Sequence, residues 1–211
     1  MNNQNALNKQ TLELGAKVLL ALPEMPVEKV QYWIENGKEL KKVLKNALFP
    51  LPTPDLKIWK TIKIGTGLQP SDFEEAIKEK DCIVSDWAKD IISKPAFTVS
   101  QEEQEIKLVK LTVRELGFEE GATTKEIYER AQELVFKLCP AEVGPQLRLQ
   151  YLDQPKGEWI RVAMKPITDS GGDLGVFRVA HGDGGRYLAC LCGIPDRYWP
   201  ADGTWVFVSS K

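Results

Sequence analysis

The residues whose types could do chemistry fall into a few groups along the chain. Gly65-Thr66-Gly67 follows a strand-like run and precedes a helix-like one. Such glycines let backbone N–H groups approach a phosphate at a helix N-terminus. Here Pro70 replaces the third glycine of a dinucleotide loop, no Gly-Lys pair follows, and Asp72, Glu74 and Glu75 add negative charge where an anion would sit. A plain turn is the better reading, and no nucleotide or other cofactor is expected. Cys190 and Cys192, two apart on a strand, share a face, but zinc would need two more ligands. Cys82 and Cys139 are remote in sequence and there is no C-x-x-C, so buried apolar thiols and no metal are expected.

Asp169, Asp173, His181, Asp183, Asp196 and Asp202 could bind a divalent cation or act as acid and base if the fold gathered them. That is the basis for one alternative function, a small metal-dependent hydrolase or nuclease. The EF-hand pattern fails at Gly171 and Ala180, and Asp and Gly are the ordinary residues of hairpin turns. There is no G-x-S-x-G elbow for a nucleophilic serine. A second alternative is nucleic-acid binding through a helix-turn-helix-like run at 104–151, with Gln146, Arg148 and Gln150 offered to a groove. One arginine beside Glu142 makes a poor recognition surface, so nucleic acid is disfavoured. Finally, Tyr198 and Trp199 fall in an expected loop, where large aromatics are less easily explained as core. Tyr198, Trp199 and Arg148 are therefore the expected binding residues, with no catalytic set.

The elements that must position these groups read as α+β. Residues 8–22 and 27–48 form an amphipathic helical hairpin divided by Pro23 and Pro26, with apolar positions recurring near every 3.6 residues. Pro50, Pro52 and Pro54 mark an extended linker over 50–57. A mixed, mostly helical segment follows over 58–156. It holds a strand at 58–64, helices at 72–80 and 124–138 opened by the capping-box patterns Ser71–Glu74 and Thr123–Glu126, a helix at 85–93 stopped by Lys94-Pro95, and a helical stretch at 140–151. Residues 104–116 fit either a strand or a buried helix. From 157 to 211 the pattern becomes an antiparallel meander of about four strands (159–167, 176–181, 186–192, 204–209) packed on the preceding segment. His181-Gly-Asp-Gly-Gly185 is its clearest hairpin signal.

Composition bounds the rest. At 211 residues, 43% hydrophobic and 27% charged, the chain is globular in type. No apolar run would span a bilayer, and there is no signal-peptide pattern and no disulfide framework, so a cytoplasmic protein without a membrane partner is expected. The net charge of −2 is uneven. Residues 1–63 hold ten lysines against six carboxylates, and residues 64–150 hold eleven cations against seventeen carboxylates.

The segments Ile58–Gly67, Leu138–Tyr151, Pro166–Ser170 and Trp205–Val208 resemble an uncharacterised family of small bacterial proteins found in candidate-phylum bacteria. The likeness covers most of the chain. It implies a bacterial, cytoplasmic protein and brings no activity, ligand or catalytic residue. With every familiar chemistry weak, the leading expectation is a non-enzymatic binding or protein-interaction protein. Its N-terminal helices would meet a protein partner or a second copy.

Overall fold

Strand alternation in the sequence resolves into one large sheet in the computed structural model, which describes residues 2–48 and 57–210. The chain divides into two units, Met1–Pro50 and Leu51–Lys211. The expected proline linker at 50–57 lies outside the described residues except for Lys57.

In the first unit the expected second helix is broken in two. Helix α1 spans Asn2–Leu20, α2 Val27–Glu35 and α3 Gly37–Leu48. Pro26 precedes α2 in an extended conformation, where a missing N–H does no harm. Asn36-Gly37 makes the break, both being poor helix formers, and Tyr32 donates across it to Glu39 at 2.7 Å. No described side chain between residues 10 and 48 is buried.

In the second unit, β1 (Lys60–Ile64) is an edge strand and β3 (Gln104–Thr112) lies beside it. The ambiguous 104–116 run is therefore a strand, its inward positions filled by Leu108, Val109 and Leu111. Strand β10 (Thr204–Val208) comes next, then β5 (Trp159–Val162), β7 (Leu174–Gly182), β8 (Gly185–Cys192) and β2 (Cys82–Val84) at the far edge. Short β6 (Ile167–Thr168) pairs with β7, and β4 (Ala122–Thr123) pairs with β9 (Tyr198–Trp199) as a separate ribbon. The sheet is mixed: β10–β5 and β2–β8 are parallel. It thus corrects the expected C-terminal meander of four antiparallel strands. Residues from both expected segments, 58–156 and 157–211, enter a single eight-stranded sheet, because β10 inserts between β3 and β5 instead of extending the β7–β8 hairpin. That hairpin forms as expected, with positive φ at Gly185.

Period-two alternation gives the sheet two apolar faces. Ile62, Leu108, Ile160, Val162, Val179, Leu188 and Val206 pack beneath helices α4 (Phe73–Lys78), α5 (Asp86–Ile92) and α7 (Val143–Gln150). Val109, Leu111, Trp205 and Phe207 pack beneath α6 (Thr124–Glu133). Helix α6 starts where the sequence predicts, with Thr123 and Glu126 closing a capping box, but ends at Glu133, short of the expected 138. The cap of α4 is displaced: Gln69 and Asp72 form the box on a 3-10 turn, Pro70–Asp72, not Ser71 and Glu74. Ser85 caps α5. The free edge of β1 is blunted by Gln150, whose amide both accepts from Lys63 N (2.8 Å) and donates to Lys63 O (2.7 Å).

Candidate functional site

The Gly65-Thr66-Gly67 turn does hold an anion, and the anion belongs to the chain. Gly65 and Gly67 have φ of +68° and +87°, conformations that suit glycine. Gly65 N donates to Glu142 Oε1 at 2.8 Å, and Ser100 N donates to Glu142 Oε2 at 2.8 Å. Gln146 Nε2 reaches Thr66 Oγ1 at 2.7 Å. Glu142 is only 1% exposed. It ties two loops to α7.

The aspartates and the histidine do not gather in one place. Asp169 Oδ1 accepts from Gly171 N and Asp173 N at 2.8 and 2.9 Å, which is turn chemistry at the start of β7. His181 Nδ1 lies 2.7 Å from Gln154 O, and Asp183 pairs with Lys156 at 2.8 Å, both at the far end of β7. The eight-residue rise from Asp173 to His181 separates the two clusters by about 26 Å. No three His, Cys, Asp or Glu side chains among the described residues could hold a metal ion. Cys82 and Cys139 are buried, Cys190 is half-buried and Cys192 is exposed.

Arg148 is fully buried (0% exposed) and turns inward from α7. It donates to Gln154 Oε1 at 2.6 Å, to Ala180 O at 3.3 Å and to Tyr151 O. Burial holds its pKa below the usual arginine value. With 104–112 a strand, Gln146 buried and Gln150 on the β1 edge, the helix-turn-helix-like arrangement is not formed. The apolar contacts of α7 with the sheet draw its polar face inward as well. Tyr198 is 54% exposed and donates from its hydroxyl to Glu120 O at 2.5 Å. Trp199 is buried, its indole N–H donating to Thr124 Oγ1 at 2.8 Å and its ring edge-on to Trp205 at 5.3 Å.

Trp199 nevertheless leads to a cluster that sequence reasoning missed. Cross-strand register aligns Leu111, Trp205, Arg161, Arg178 and Ala189 in one row over β3, β10, β5, β7 and β8. The first two lie under α6; Arg161 and Arg178 make the middle of the row cationic and only partly covered, and Ala189 closes it. The next row holds Trp159, Ala180 and Tyr187, with Trp159 40% exposed. The Arg161 guanidinium lies 4.5 Å over the Trp199 ring, with Arg197 5.5 Å from the same ring. Arg178 lies 4.4 Å over Trp159 and 5.8 Å from Tyr187. The aromatic faces fix the guanidinium planes.

The three arginines lack counter-ions: none has a carboxylate at ion-pair distance among the described residues. The Nε atoms of Arg161 and Arg178 are buried without a hydrogen-bond partner. Burial, then the neighbouring Arg178 charge, pull the Arg161 pKa down; Asp202 opposes them, and Arg197 adds a smaller push in the same direction as Arg178. Burial lowers Arg178 too. Like charges directly opposite on paired strands destabilise a sheet. This face is therefore electrostatically incomplete, and its donors suit a carboxylate or phosphate held by paired N–H groups. A signal was present in the sequence: in Trp159-Ile-Arg161-Val162 and Phe177-Arg178-Val179 the arginines occupy alternate positions of otherwise apolar strands.

Comparison with protein-family models, with curated proteins and with solved structures finds no match to this chain.

Proposed function

We propose that the chain is a non-enzymatic binding protein that takes an anionic partner on the partly covered sheet face built by Arg161, Arg178 and Arg197. The observation that carries this reading is the cross-strand pair Arg161–Arg178, set directly opposite each other with no counter-ion. A fold keeps such repulsion at a stability cost, and uncompensated charge of this kind clusters at functional sites. The test is thermal unfolding with inorganic pyrophosphate against chloride at matched ionic strength. Pyrophosphate should raise the midpoint of the wild type and leave that of Arg161→Gln/Arg178→Gln unchanged. Equal responses of the two proteins would remove the site.

A second reading rests on the first unit. Leu12, Leu19, Leu20, Val27 and Ile34 are all strongly exposed, and no described side chain of residues 10–48 is buried. An apolar helical surface of this kind marks an interaction element, and a second copy or another protein would cover it. In the full-length chain, Leu12→Glu with Leu19→Glu should lower the mass measured by light scattering if the helices self-associate. An unchanged mass of both proteins would exclude self-association through this face.

A further inference from the structure

We infer that the anionic partner is an acidic, extended segment of another protein, an inference that rests on the arginine face described above. Three observations separate this occupant from others. The first is residue type. The face combines Trp159, Tyr187, Arg161, Arg178 and Arg197 and contains no lysine, and Trp, Tyr and Arg are the side chains that dominate protein–protein binding energy.

The second is shape. Arg178 is flanked on β8 by Ala189, and Trp159 and Tyr187 meet edge-on at 5.9 Å beside Ala180. The result is a platform of a sheet, not an enclosed pocket, whereas small ligands are held by concave sites that bury most of their surface. The groove lined by Pro70, Ser71, Glu74, Lys89, Ile92 and Ser93 lies with α4 and α5, on the other side of the sheet.

The third is charge beyond the face. Residues 64–150 carry a six-charge acidic excess, α6 beside the site holds Glu126, Glu129 and Glu133, and Asp196 and Asp202 border Arg197 and Arg161. A long phosphate backbone would gain three cations and meet these carboxylates on either side. A second copy whose two-fold axis passes through this face would set arginines against arginines. A short segment avoids both penalties. Extended chain places residues i and i+2 on one face about 6.6 Å apart, so two carboxylates at that spacing can each engage one arginine. An apolar side chain flanking that pair on the same face of the segment would meet Trp159, which lies one row away on the sheet under the Arg178 guanidinium.

The experiment measures fluorescence anisotropy of a labelled peptide on the full-length protein. In the peptide, two glutamates and the leucines flanking them occupy alternate positions separated by serine, so that all four share one face. Comparison probes are the glutamine-for-glutamate peptide, labelled oligothymidylate and unlabelled inorganic pyrophosphate. The acidic peptide should bind, and the glutamine peptide and oligothymidylate should bind at least about tenfold more weakly. Arg161→Gln and Arg178→Gln should each weaken the peptide at least about tenfold. Arg161→Lys, which keeps the charge and loses the fork, should weaken it by a smaller factor. Trp159→Ala, which removes both the apolar surface and the ring that fixes Arg178, should weaken the peptide at least about tenfold, and a cooperative unfolding transition shows that this variant is folded. Oligothymidylate binding tighter than the peptide would assign the face to single-stranded nucleic acid and overturn the inference. Peptide binding untouched by Trp159→Ala would overturn it as well. Absence of any pyrophosphate response in the wild type would instead sink the anion-binding reading beneath it.

Discussion

Replacing Glu142 tests whether an internal carboxylate, not an external phosphate, organises the glycine turn. Its two oxygens accept Gly65 N and Ser100 N, each at 2.8 Å, in a site where the carboxylate is almost wholly buried. A hydrogen bond to a charged group contributes about 1.5–3 kcal/mol, and a buried donor left unpaired costs about 1–3 kcal/mol. Both N–H groups are only part-buried, so Glu142→Ala should cost about 3–5 kcal/mol. Glu142→Gln has the same shape but one acceptor oxygen. Its amide nitrogen would face one of the two backbone donors, for a cost of about 2–3 kcal/mol. The assay is urea unfolding followed by tryptophan fluorescence, since five of the six tryptophans lie beyond residue 50. The midpoint should fall with an unchanged denaturant slope. Amide exchange at Gly65 and Ser100 should accelerate in both variants. If Glu142→Gln lies within about 0.5 kcal/mol of wild type, the two-donor account is wrong.

Other substitutions probe separate features. Gly144→Ala should destabilise the chain by about 2 kcal/mol although alanine favours helix, because a Cβ there would stand 2.4 Å from the buried Phe177 ring; urea unfolding reads the sign. At pH 8, Cys192 should react with a disulfide reagent far faster than Cys190. Burial, then Asp169 and Asp90, push the Cys190 thiol up to about 11, which leaves roughly one part in a thousand as thiolate; equal rates by mass spectrometry would contradict this. Asp90 bonds Lys94 and both the hydroxyl and backbone N–H of Ser170, which hold its carboxyl down to about 2. Because the folded pKa is depressed, the clamp is in full force above the ordinary carboxylate value of about 3.9 and is lost as pH falls toward about 2. Exchange protection at Ser170 should therefore survive at pH 4 and fail near pH 2, and Asp90→Asn should lose it at neutral pH.

Signals in the sequence are legible where the chemistry is local. The Thr123–Glu126 box, the end of α5 just before Lys94-Pro95 and the turn at Gly185 each depend on residues within a few positions of one another. What the sequence withheld depends on register between distant strands. Period two could mark Arg161 and Arg178 as sharing the phase of their neighbours, but only the β5–β7 pairing makes them face one another, and only the β10–β5 pairing carries the row to Trp205. Trp199 illustrates the same limit. Its place between turn-forming residues suggests an exposed loop, yet pairing of β9 with β4 swings it over Trp205. A helix-turn-helix reading offers Arg148 to a groove, whereas the side chain turns inward to Gln154, to the nearby Tyr151 carbonyl and to the distant Ala180 carbonyl, with its Nε left unpartnered.

The position of β10 has a consequence for synthesis. Residues 204–208 fill the gap between β3 and β5, so neither of those strands has its inner neighbour until the last strand has been made. At about 5–20 residues per second, roughly 5–19 s pass between completion of β3 and arrival of β10, and roughly 2–9 s between completion of β5 and that arrival. During those intervals one edge of each strand stays unpaired. The sheet of the second unit therefore closes only after residue 208 has emerged, with the shared neighbour of β3 and β5 the last strand to enter it.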